Sequence, residues 1–343
     1  MLVICDANGG GIYDYVVRLR EELGGKFHFL IRGKNESYFH FLSRLFIRFW
    51  GKDLNIQSLM WPFALVLTIV GRLCGRKVFF EAHDDPFSEK MVYRPVFVRR
   101  LLLRLSSRVI VHSRYAAKRC EEVVKGKKII YIPFGPLLKP KPVMEQDEAR
   151  RKLGIKERNV ILFFGIIQPN KGLDILIKAF AEVLGKEDVR LLIVGPSKED
   201  FSKYMRMIDE LRVSEKVSCY LKYYTLKESE IFFAASDFVV LPYTDITQSS
   251  VSFVSYIFRK PVIASDLGGF GEIVKDGKSG LLFETGDKKE LAEKILKLLK
   301  NKRNCKRMGE NGFKMITEGE FSWEKISRKY LELSNEGLWV DKK

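Results

Sequence analysis

The stretch FFGIIQPNKGLDILIKAF, residues 163–180, decides the fold of the second half of the chain. An apolar run ends at Gly165, a short polar loop follows, and an amphipathic helical pattern opens at Lys171 and Gly172. This order predicts a buried strand, a tight turn and a helix. Lys171 therefore stands at a strand-to-helix junction, where a cation and the positive end of the helix dipole both favour an anionic ligand.

The same alternation of apolar runs and helical patterns extends outward from this stretch in both directions. Helical patterns such as 13–23 and 94–105 separate the apolar runs, which predict strands. The predicted strands are 2–5, 27–31, 77–81, 108–112, 128–132, 160–164, 190–194, 217–220, 238–241, 261–264 and 280–283. Strands that alternate with helices predict an α/β fold with parallel, doubly wound sheets.

The length of the chain indicates two such sheets. The chain has 343 residues, more than one hydrophobic core usually supports, and a proline-rich stretch at 133–142 interrupts the alternation. We therefore predict two Rossmann-like domains, 1–138 and 139–320, that face each other across a cleft. The last segment, 321–343, is predicted to form a helix that crosses back to the first domain.

The composition is both basic and apolar. The formal net charge is +17, and between Arg94 and Lys128 the only acidic residues are Glu121 and Glu122. Upstream, at 39–50, aromatic and aliphatic residues recur at helical spacing among arginines. This pattern predicts an interfacial helix on an anionic membrane surface, with a core-facing helix as the alternative. Nucleic acid would also match the charge, but no nucleic-acid-binding motif accompanies it, so we expect no such partner.

Cysteine usage and the N-terminus predict the cellular location. Five scattered cysteines without metal-ligand spacing indicate a reducing compartment. The N-terminus begins with a strand pattern rather than with a signal-peptide pattern. We therefore expect a cytoplasmic protein that is peripheral on the inner face of the cell membrane.

Two features of the first domain lie where predicted strands end. Asn8-Gly9-Gly10-Gly11 separates the first strand from the first helix. Glycines at this point let backbone N–H groups approach an anion. The alternative interpretation is a tight turn that binds no ligand. His83 and His112 end or follow strands, at the edge where open α/β sheets bind ligands. A histidine at this edge can orient hydroxyl groups and exchange protons near neutrality, whereas most lone histidines are structural.

Several short motifs together resemble glycosyltransferase family 4, whose members have the two-domain GT-B fold. The stretch at 163–180 is similar to the family's FxG-x-I/L-x-P-x-KG motif. Further similar stretches are IPFG at 132–135, IVG at 193–195, KPVIA at 260–264, GG at 268–269 followed by Glu272, and DGKSGL at 276–281. The resemblance covers nearly the whole chain. It implies transfer of a sugar from a UDP- or GDP-linked donor with retention of anomeric configuration and without a cofactor or an obligatory metal.

The chain departs from the family pattern at positions that matter for chemistry. Ile166 stands where the family carries an arginine that pairs with the donor diphosphate. Lys171 would therefore have to neutralise more of the negative charge of the diphosphate. The two glutamates of the family motif fall on Ile246 and Val254. In their place stands YTDITQSSV at 243–251, which resembles a variant branch with a D-x-T-Q-S loop. Its hydroxyl groups can bind a phosphate, or they only cap the following helix.

The resemblance implies a role for each matching residue. Catalytic roles fall on His83, Lys171 and Asp245. Acceptor-binding roles fall on Gly9, His83 and His112, and we expect no metal site. The donor-binding residues are Gly10, Gly11, Gly165, Gln168, Lys171, Gly195, Tyr243, Thr247, Gln248, Ser249 and Ser250.

The resemblance implies a hexosyltransferase with an N-terminal acceptor domain and a C-terminal donor domain. The expected acceptor is a glycan or a lipid-linked molecule at a membrane surface, as in polysaccharide biosynthesis. The loss of both glutamates leaves an alternative, a non-catalytic or weakly active protein that binds glycans or nucleotide sugars.

Overall fold

The computed structural model describes residues 1–7, 10–33, 35–58, 61–83, 96–126, 129–140, 144–246 and 248–335. The chain divides into two compact units, Met1–Leu137 with Glu320–Lys343, and Leu138–Gly319. Each unit contains one six-stranded sheet, and all strand pairs in both sheets are parallel.

The first unit has the sheet order β2-β1-β3-β4-β5-β6. Its strands are β1 (Leu2–Cys5), β2 (His28–Ile31), β3 (Leu54–Ser58), β4 (Val78–Ala82), β5 (Arg108–Val111) and β6 (Ile129–Tyr131). Its helices are α1 (Gly10–Leu23), α2 (Tyr38–Phe49), α3 (Trp61–Leu73), α4 (Val96–Leu105), α5 (Arg114–Val123) and the last helix of the chain, α14 (Trp323–Asn335).

Burial of both sheet faces explains why the strands of this unit are short apolar runs. Residues Leu2–Cys5 are all buried, as expected of a parallel strand covered by helices on both faces. Apolar residues of α2, α4 and α5 pack with the strands in one core. The last helix packs against α1, and the Trp323 indole donates a hydrogen bond of 2.8 Å to the carbonyl of Pro136.

The second unit has the sheet order β12-β11-β10-β7-β8-β9. Its strands are β7 (Asn159–Phe164), β8 (Val189–Val194), β9 (Val217–Tyr220), β10 (Phe238–Leu241), β11 (Val262–Ser265) and β12 (Gly280–Phe283). Its helices are α6 (Gln146–Lys152), α7 (Leu173–Leu184), α8 (Ser202–Glu210), α9 (Glu230–Ala235), α10 (Ser250–Ile257), α11 (Phe270–Ile273), α12 (Lys288–Lys300) and α13 (Lys302–Thr317), with 3₁₀ turns at Pro169–Lys171 and Ser214–Lys216. A large core joins α7 and α12 to the central strands.

The prediction of doubly wound α/β sheets is confirmed in both units, but the sequence pattern misses one strand. In β3 the polar residues Asn55 and Gln57 alternate with apolar ones, whereas most neighbouring strands are continuous apolar runs. The largely apolar segment Trp61–Leu73 forms α3. Among the described residues, no helix is both long and apolar enough to span a bilayer.

Candidate functional site

The loops after β7 and β10 meet at the point where the strand order of the second unit reverses. From β7 the chain continues through β8 and β9 on one side of the sheet, and β10 then pairs with the other side of β7. In open α/β sheets, ligands bind outside the carboxyl ends of strands at such a switch point. Most of the predicted donor-binding residues of this unit lie on these two loops.

Glycines allow the backbone segments at this edge to approach each other closely. Gly165 and Gly195 follow β7 and β8 with φ values of 127° and 137°, which side-chain-bearing residues rarely adopt. A Cβ on Gly195 would lie only 2.0 Å from the carbonyl oxygen of Gly165. Gly172 has a φ of 63°, and a Cβ there would lie 1.8 Å from the carbonyl oxygen of Pro242. A side chain at Gly172 or Gly195 would therefore clash with the neighbouring backbone, whereas at Gly165 only the positive φ disfavours one.

Lys171 contacts Tyr243 across the switch point. Its Nζ lies 3.8 Å from the centroid of the Tyr243 ring, within the range of a cation–π interaction. The side-chain amide of Asn170 donates to the carbonyl oxygen of Asp245 at 2.9 Å, and the Thr244 amide donates to the carbonyl of Asn170 at 3.0 Å. The structure thus brings the predicted residues Lys171, Tyr243 and Asp245 together.

Tyr243 is buried and linked to the start of α10. Burial raises the pKa of Tyr243 to about 12, and a hydrogen bond with Ser249 opposes this shift. Ser249 is the N-cap residue of α10 but makes no side-chain capping bond. Its hydroxyl forms a hydrogen bond with Tyr243 instead. Ser250 begins the helix, and Gln248 is half-buried beside it. The predicted residue Thr247 lies outside the described residues.

The other positions of this unit that the sequence analysis discusses carry one polar side chain, Gln168, and three apolar ones. Gln168 precedes the 3₁₀ turn and is half-buried. Ile166, at the position of the family arginine, is 38% exposed. At the positions of the two glutamates, Ile246 is half-buried and Val254 is packed inside α10. The apolar environment of Val254 leaves no place for an ionised carboxylate there.

The glycine motif of the first unit lies at the start of α1. Gly10 and Gly11 form the first residues of the helix, which follows β1 after a short loop. A Cβ on Gly11 would meet no atom within 4 Å, so open space faces this position. Asn8 and the predicted acceptor residue Gly9 lie outside the described residues.

A buried carboxylate, which the sequence analysis did not single out, lies beneath the two predicted histidines. Glu81 on β4 is 1% exposed. Its Oε2 accepts hydrogen bonds from Asn55 at 2.9 Å and from Gln57 at 2.5 Å. Its Oε1 accepts from the Tyr330 hydroxyl at 2.5 Å. Burial alone would raise the pKa of the Glu81 carboxyl, but His112, His83 and Tyr330 together lower it below its usual range.

The two histidines lie side by side. The ring centroids of His83 and His112 are 4.6 Å apart. Nδ1 of His112 donates to the carbonyl of Ile132 at 2.9 Å, and its Nε2 lies 3.1 Å from Oε1 of Glu81. Nε2 of His83 lies 2.7 Å from Oε1 of Gln57. Burial and His112 lower the pKa of His83 to about 3 although the Glu81 charge opposes them, so His83 is neutral at neutral pH.

The same three side chains also have the spacing of metal ligands. One potential ligand atom from each of Glu81, His83 and His112 lies within 4.8 Å of the other two. The carboxylate oxygens already accept hydrogen bonds from Asn55, Gln57 and Tyr330. We therefore interpret the cluster as a hydrogen-bond network.

Comparison with known proteins identifies the class. Residues 145–315 match the family model described as "Glycosyl transferases group 1". An uncharacterized glycosyltransferase of Methanocaldococcus jannaschii is 30% identical over 243 residues, 68% of this chain and 66% of the relative. A D-inositol 3-phosphate glycosyltransferase of Nocardia farcinica is 28% identical over 68% of this chain and 53% of its own length. The matches thus span about half to two thirds of these relatives.

Solved structures match over nearly the full length of the chain. Anabaena HepE in complex with UDP-glucose has a TM-score of 0.79 and 18% identity, with 98% of this chain and 100% of that chain covered. Sucrose-phosphate synthase from Thermosynechococcus elongatus has a TM-score of 0.80 and 18% identity, with 98% and 99% covered. The fold is therefore GT-B, as predicted. The chain belongs to the glycosyltransferase group 1 family.

Proposed function

We propose that the protein is a retaining glycosyltransferase that moves a sugar from a nucleotide-diphosphate sugar to a glycan or lipid-linked acceptor at a membrane surface. The observation that carries the proposal is the switch point of the second unit, where Lys171, Tyr243 and the glycines 165, 172 and 195 converge. Family membership and the relatives' names support the same class of reaction.

The switch point is suited to a diphosphate. Lys171 supplies a positive charge, and α7 and α10 begin there with backbone N–H groups that favour an anion. Gly172 and Gly195 let the loops after β7, β8 and β10 approach each other closely, which brings backbone N–H groups together at one edge of the sheet. Asp245 and Gln248 are the candidates for contacts to the sugar hydroxyls, and Thr247, Ser249 and Ser250 for contacts to the phosphates.

The reaction depends more on positioning the substrates and stabilising the charge of the leaving diphosphate than on a side chain that removes the acceptor proton. In a retaining reaction of this class, an oxygen of the departing diphosphate accepts the proton of the acceptor hydroxyl on the same face of the sugar. The negative charge that develops on the diphosphate is then stabilised by Lys171 and the helix N-termini. His83, a neutral acceptor at the carboxyl end of β4, orients a substrate hydroxyl, with His112 beside it.

Binding of a nucleoside diphosphate tests the donor site directly. We expect UDP or GDP to raise the melting temperature of the full chain, because a ligand that binds only the folded state stabilises it by about 2.7 kcal/mol at 100 times its Kd. UDP is tested first, since HepE is named in complex with UDP and UDP-glucose. Adenosine without phosphates is the control. If no nucleoside diphosphate changes the melting temperature, the proposed donor site is wrong as an assignment of nucleotide binding.

Turnover separates the transferase from the alternative. A transferase releases free nucleoside diphosphate from its sugar nucleotide, and the release increases when the correct acceptor is added. Binding of the sugar nucleotide without measurable release would favour the non-catalytic or weakly active binding protein, which the apolar residues Ile246 and Val254 also suggest.

An apolar and basic surface on the first unit supports the membrane part of the proposal. On α2, Phe39, Phe46 and Ile47 are 83%, 67% and 75% exposed, and Trp50, which caps its C-terminus, is 57% exposed. Neighbouring α3 also carries exposed aliphatic side chains, and Tyr38 and Phe63 link the two helices with ring centroids 5.7 Å apart. Large exposed apolar patches mark interaction sites. We call the exposed apolar side chains of α2 and α3 the aromatic face.

Removal of two aromatic side chains from this face should weaken membrane binding. We expect the parent protein to sediment with phosphatidylglycerol-containing vesicles at low salt and to detach as salt rises. Phe46→Ser with Trp50→Ser should weaken this binding at least tenfold, because each large apolar side chain contributes about 1.5–3 kcal/mol when buried. The matched control is Tyr223→Ser, an aromatic residue of the second unit that is 69% exposed. Equal binding to neutral vesicles, or an unaffected double variant, would count against a membrane surface.

A further inference from the structure

We infer that Glu81, acting through the side-chain amide of Gln57, selects the tautomer of His83 and leaves Nδ1 of that ring as an acceptor for a substrate hydroxyl. The inference deepens the proposed function and rests on it for the role of the hydroxyl. Glu81 and Gln57 are positioning residues in this scheme, because they act on the substrate only through His83.

The first step is the ionised state of Glu81. Side-chain amides of Asn55 and Gln57 lie 2.9 and 2.5 Å from Oε2, and an NH₂ group can only donate. The Tyr330 hydroxyl lies 2.5 Å from Oε1 and His112 faces the same oxygen. A carboxylate surrounded by donors on both oxygens is stabilised in its charged, acceptor-only form.

The second step is the orientation of the Gln57 amide. Because its NH₂ group donates to the Glu81 carboxylate, its Oε1 must point the other way, towards His83. The reversed amide would place a carbonyl oxygen against the carboxylate and leave two acceptors facing each other. The charge on Glu81 therefore fixes which end of Gln57 reaches the histidine.

The third step is the proton on His83. Oε1 of Gln57 is an acceptor, so Nε2 of His83, 2.7 Å away, must donate. A neutral imidazole carries one proton, which leaves Nδ1 with a lone pair. Nδ1 is buried and has no hydrogen-bond partner among the described residues. An unsatisfied buried acceptor is unfavourable, and a substrate hydroxyl that donates to Nδ1 would satisfy it.

Ring contacts hold His83 in this orientation. The edge of the ring meets Tyr15 at a centroid distance of 5.2 Å, and His112 lies at 4.6 Å. The Tyr15 hydroxyl is 3.0 Å from that of Tyr330, and since Tyr330 donates to Glu81, Tyr15 donates to Tyr330. The groups around the ring are thus the rings of Tyr15, His112 and Phe134 and the Gln57 amide, with the Glu81 carboxylate on the other side of that amide.

The tautomer can be read from the ¹⁵N shifts of the imidazole nitrogens in the full chain, labelled at histidine. The chain has four histidines, and His83→Asn identifies the signals of His83. At pH 7 with EDTA present, we expect a protonated Nε2 and an unprotonated Nδ1. Gln57→Met removes the bond that holds the proton, so the two signals should move towards a mixture of tautomers. An imidazolium, an Nδ1–H tautomer or a metal-bound Nδ1 in the parent would overturn the inference, even if Gln57→Met does not fold.

Asn55→Met is the matched control. Asn55 lies two residues from Gln57 on β3 and donates to the same carboxylate oxygen, whereas Gln57 is the residue that reaches His83. We expect this variant to leave the tautomer of His83 unchanged. If both variants change the ¹⁵N signals equally, the effect is a general loss of structure and the relay through Gln57 is wrong.

Kinetics connect the tautomer to the substrate. With the sugar nucleotide that the protein turns over, Gln57→Met should lower kcat/KM about tenfold, the loss of roughly one hydrogen bond. Combination with His83→Asn should cause no further loss, because both changes remove the same interaction. Additive losses would overturn the positioning role. If the parent turns over no sugar nucleotide, the proposed function fails while the ¹⁵N result still decides the tautomer.

Discussion

Replacement of Lys171 by methionine should lower kcat about 10²–10³-fold with a smaller effect on KM. The aliphatic part of the side chain is retained, whereas the charge beside Tyr243 is lost. The family's arginine is replaced by Ile166, so the diphosphate depends on Lys171 for side-chain charge on this loop. Loss of one preorganised group that stabilises transition-state charge typically raises the barrier by about 2.7–4 kcal/mol. Steady-state kinetics with the sugar nucleotide measure the change.

The control for this experiment is another lysine near the same helix. Lys186 is exposed and follows α7 at the end opposite Lys171. Lys186→Met removes the same charge from the protein as a whole, and we expect it to leave kcat within a factor of two. If Lys171→Met turns over as fast as the Lys186 variant, Lys171 does not stabilise the leaving group.

Alanine at Gly195 should destabilise the second unit by about 2–4 kcal/mol. The backbone there has a φ of 137°, and the added Cβ would lie 2.0 Å from the carbonyl oxygen and 2.7 Å from the carbonyl carbon of Gly165. Because both atoms belong to the backbone, no change of rotamer relieves the contact, and β7 and β8 must separate at their carboxyl ends. The free energy of unfolding in urea measures the effect. We also expect a loss of nucleotide binding, since the displaced loop carries Lys171.

Gly185→Ala provides the comparison. Gly185 ends α7 with a φ of −67° in the right-handed helical region, and its added Cβ would meet no atom within 4 Å. Alanine at such a position is neutral or stabilising by about 0.4–1 kcal/mol, because it reduces the freedom of the unfolded chain. Equal stability of the Gly195 and Gly185 variants would contradict the close packing of β7 against β8.

The fold was accessible from the sequence because parallel strands covered on both faces must be apolar throughout. Runs such as VILFF at 160–164 and LLIV at 191–194 meet this condition and are easily recognised. The strand β3 was not predicted because Asn55 and Gln57 interrupt its apolar pattern. Both side chains donate hydrogen bonds to the Glu81 carboxylate. The hydrogen-bond network therefore explains why a buried strand carries two polar residues.

Most residues of the candidate site in the second unit could be proposed from the sequence, whereas the polar network of the first unit could not. Lys171, Gly165 and Gly195 lie in short motifs whose strand-to-loop position can be predicted locally. Glu81 depends on residues far away in the sequence, including Tyr330. One local signal was present, since an acidic residue inside the buried run VFFEA must find partners. Which partners it finds depends on the packing of β3, β4 and α14, which no local pattern specifies.

The bond between Tyr330 and Glu81 joins residues 249 positions apart, within a unit that the intervening domain separates in sequence. During synthesis, β4 leaves the ribosome long before α14 exists. Until the last helix arrives, the charge on Glu81 has only water and groups of the first half of the chain, such as Asn55, Gln57 and His112, as partners. Because a domain folds as a unit, the first unit cannot be completed until α14 has been synthesised, after the whole of the second unit.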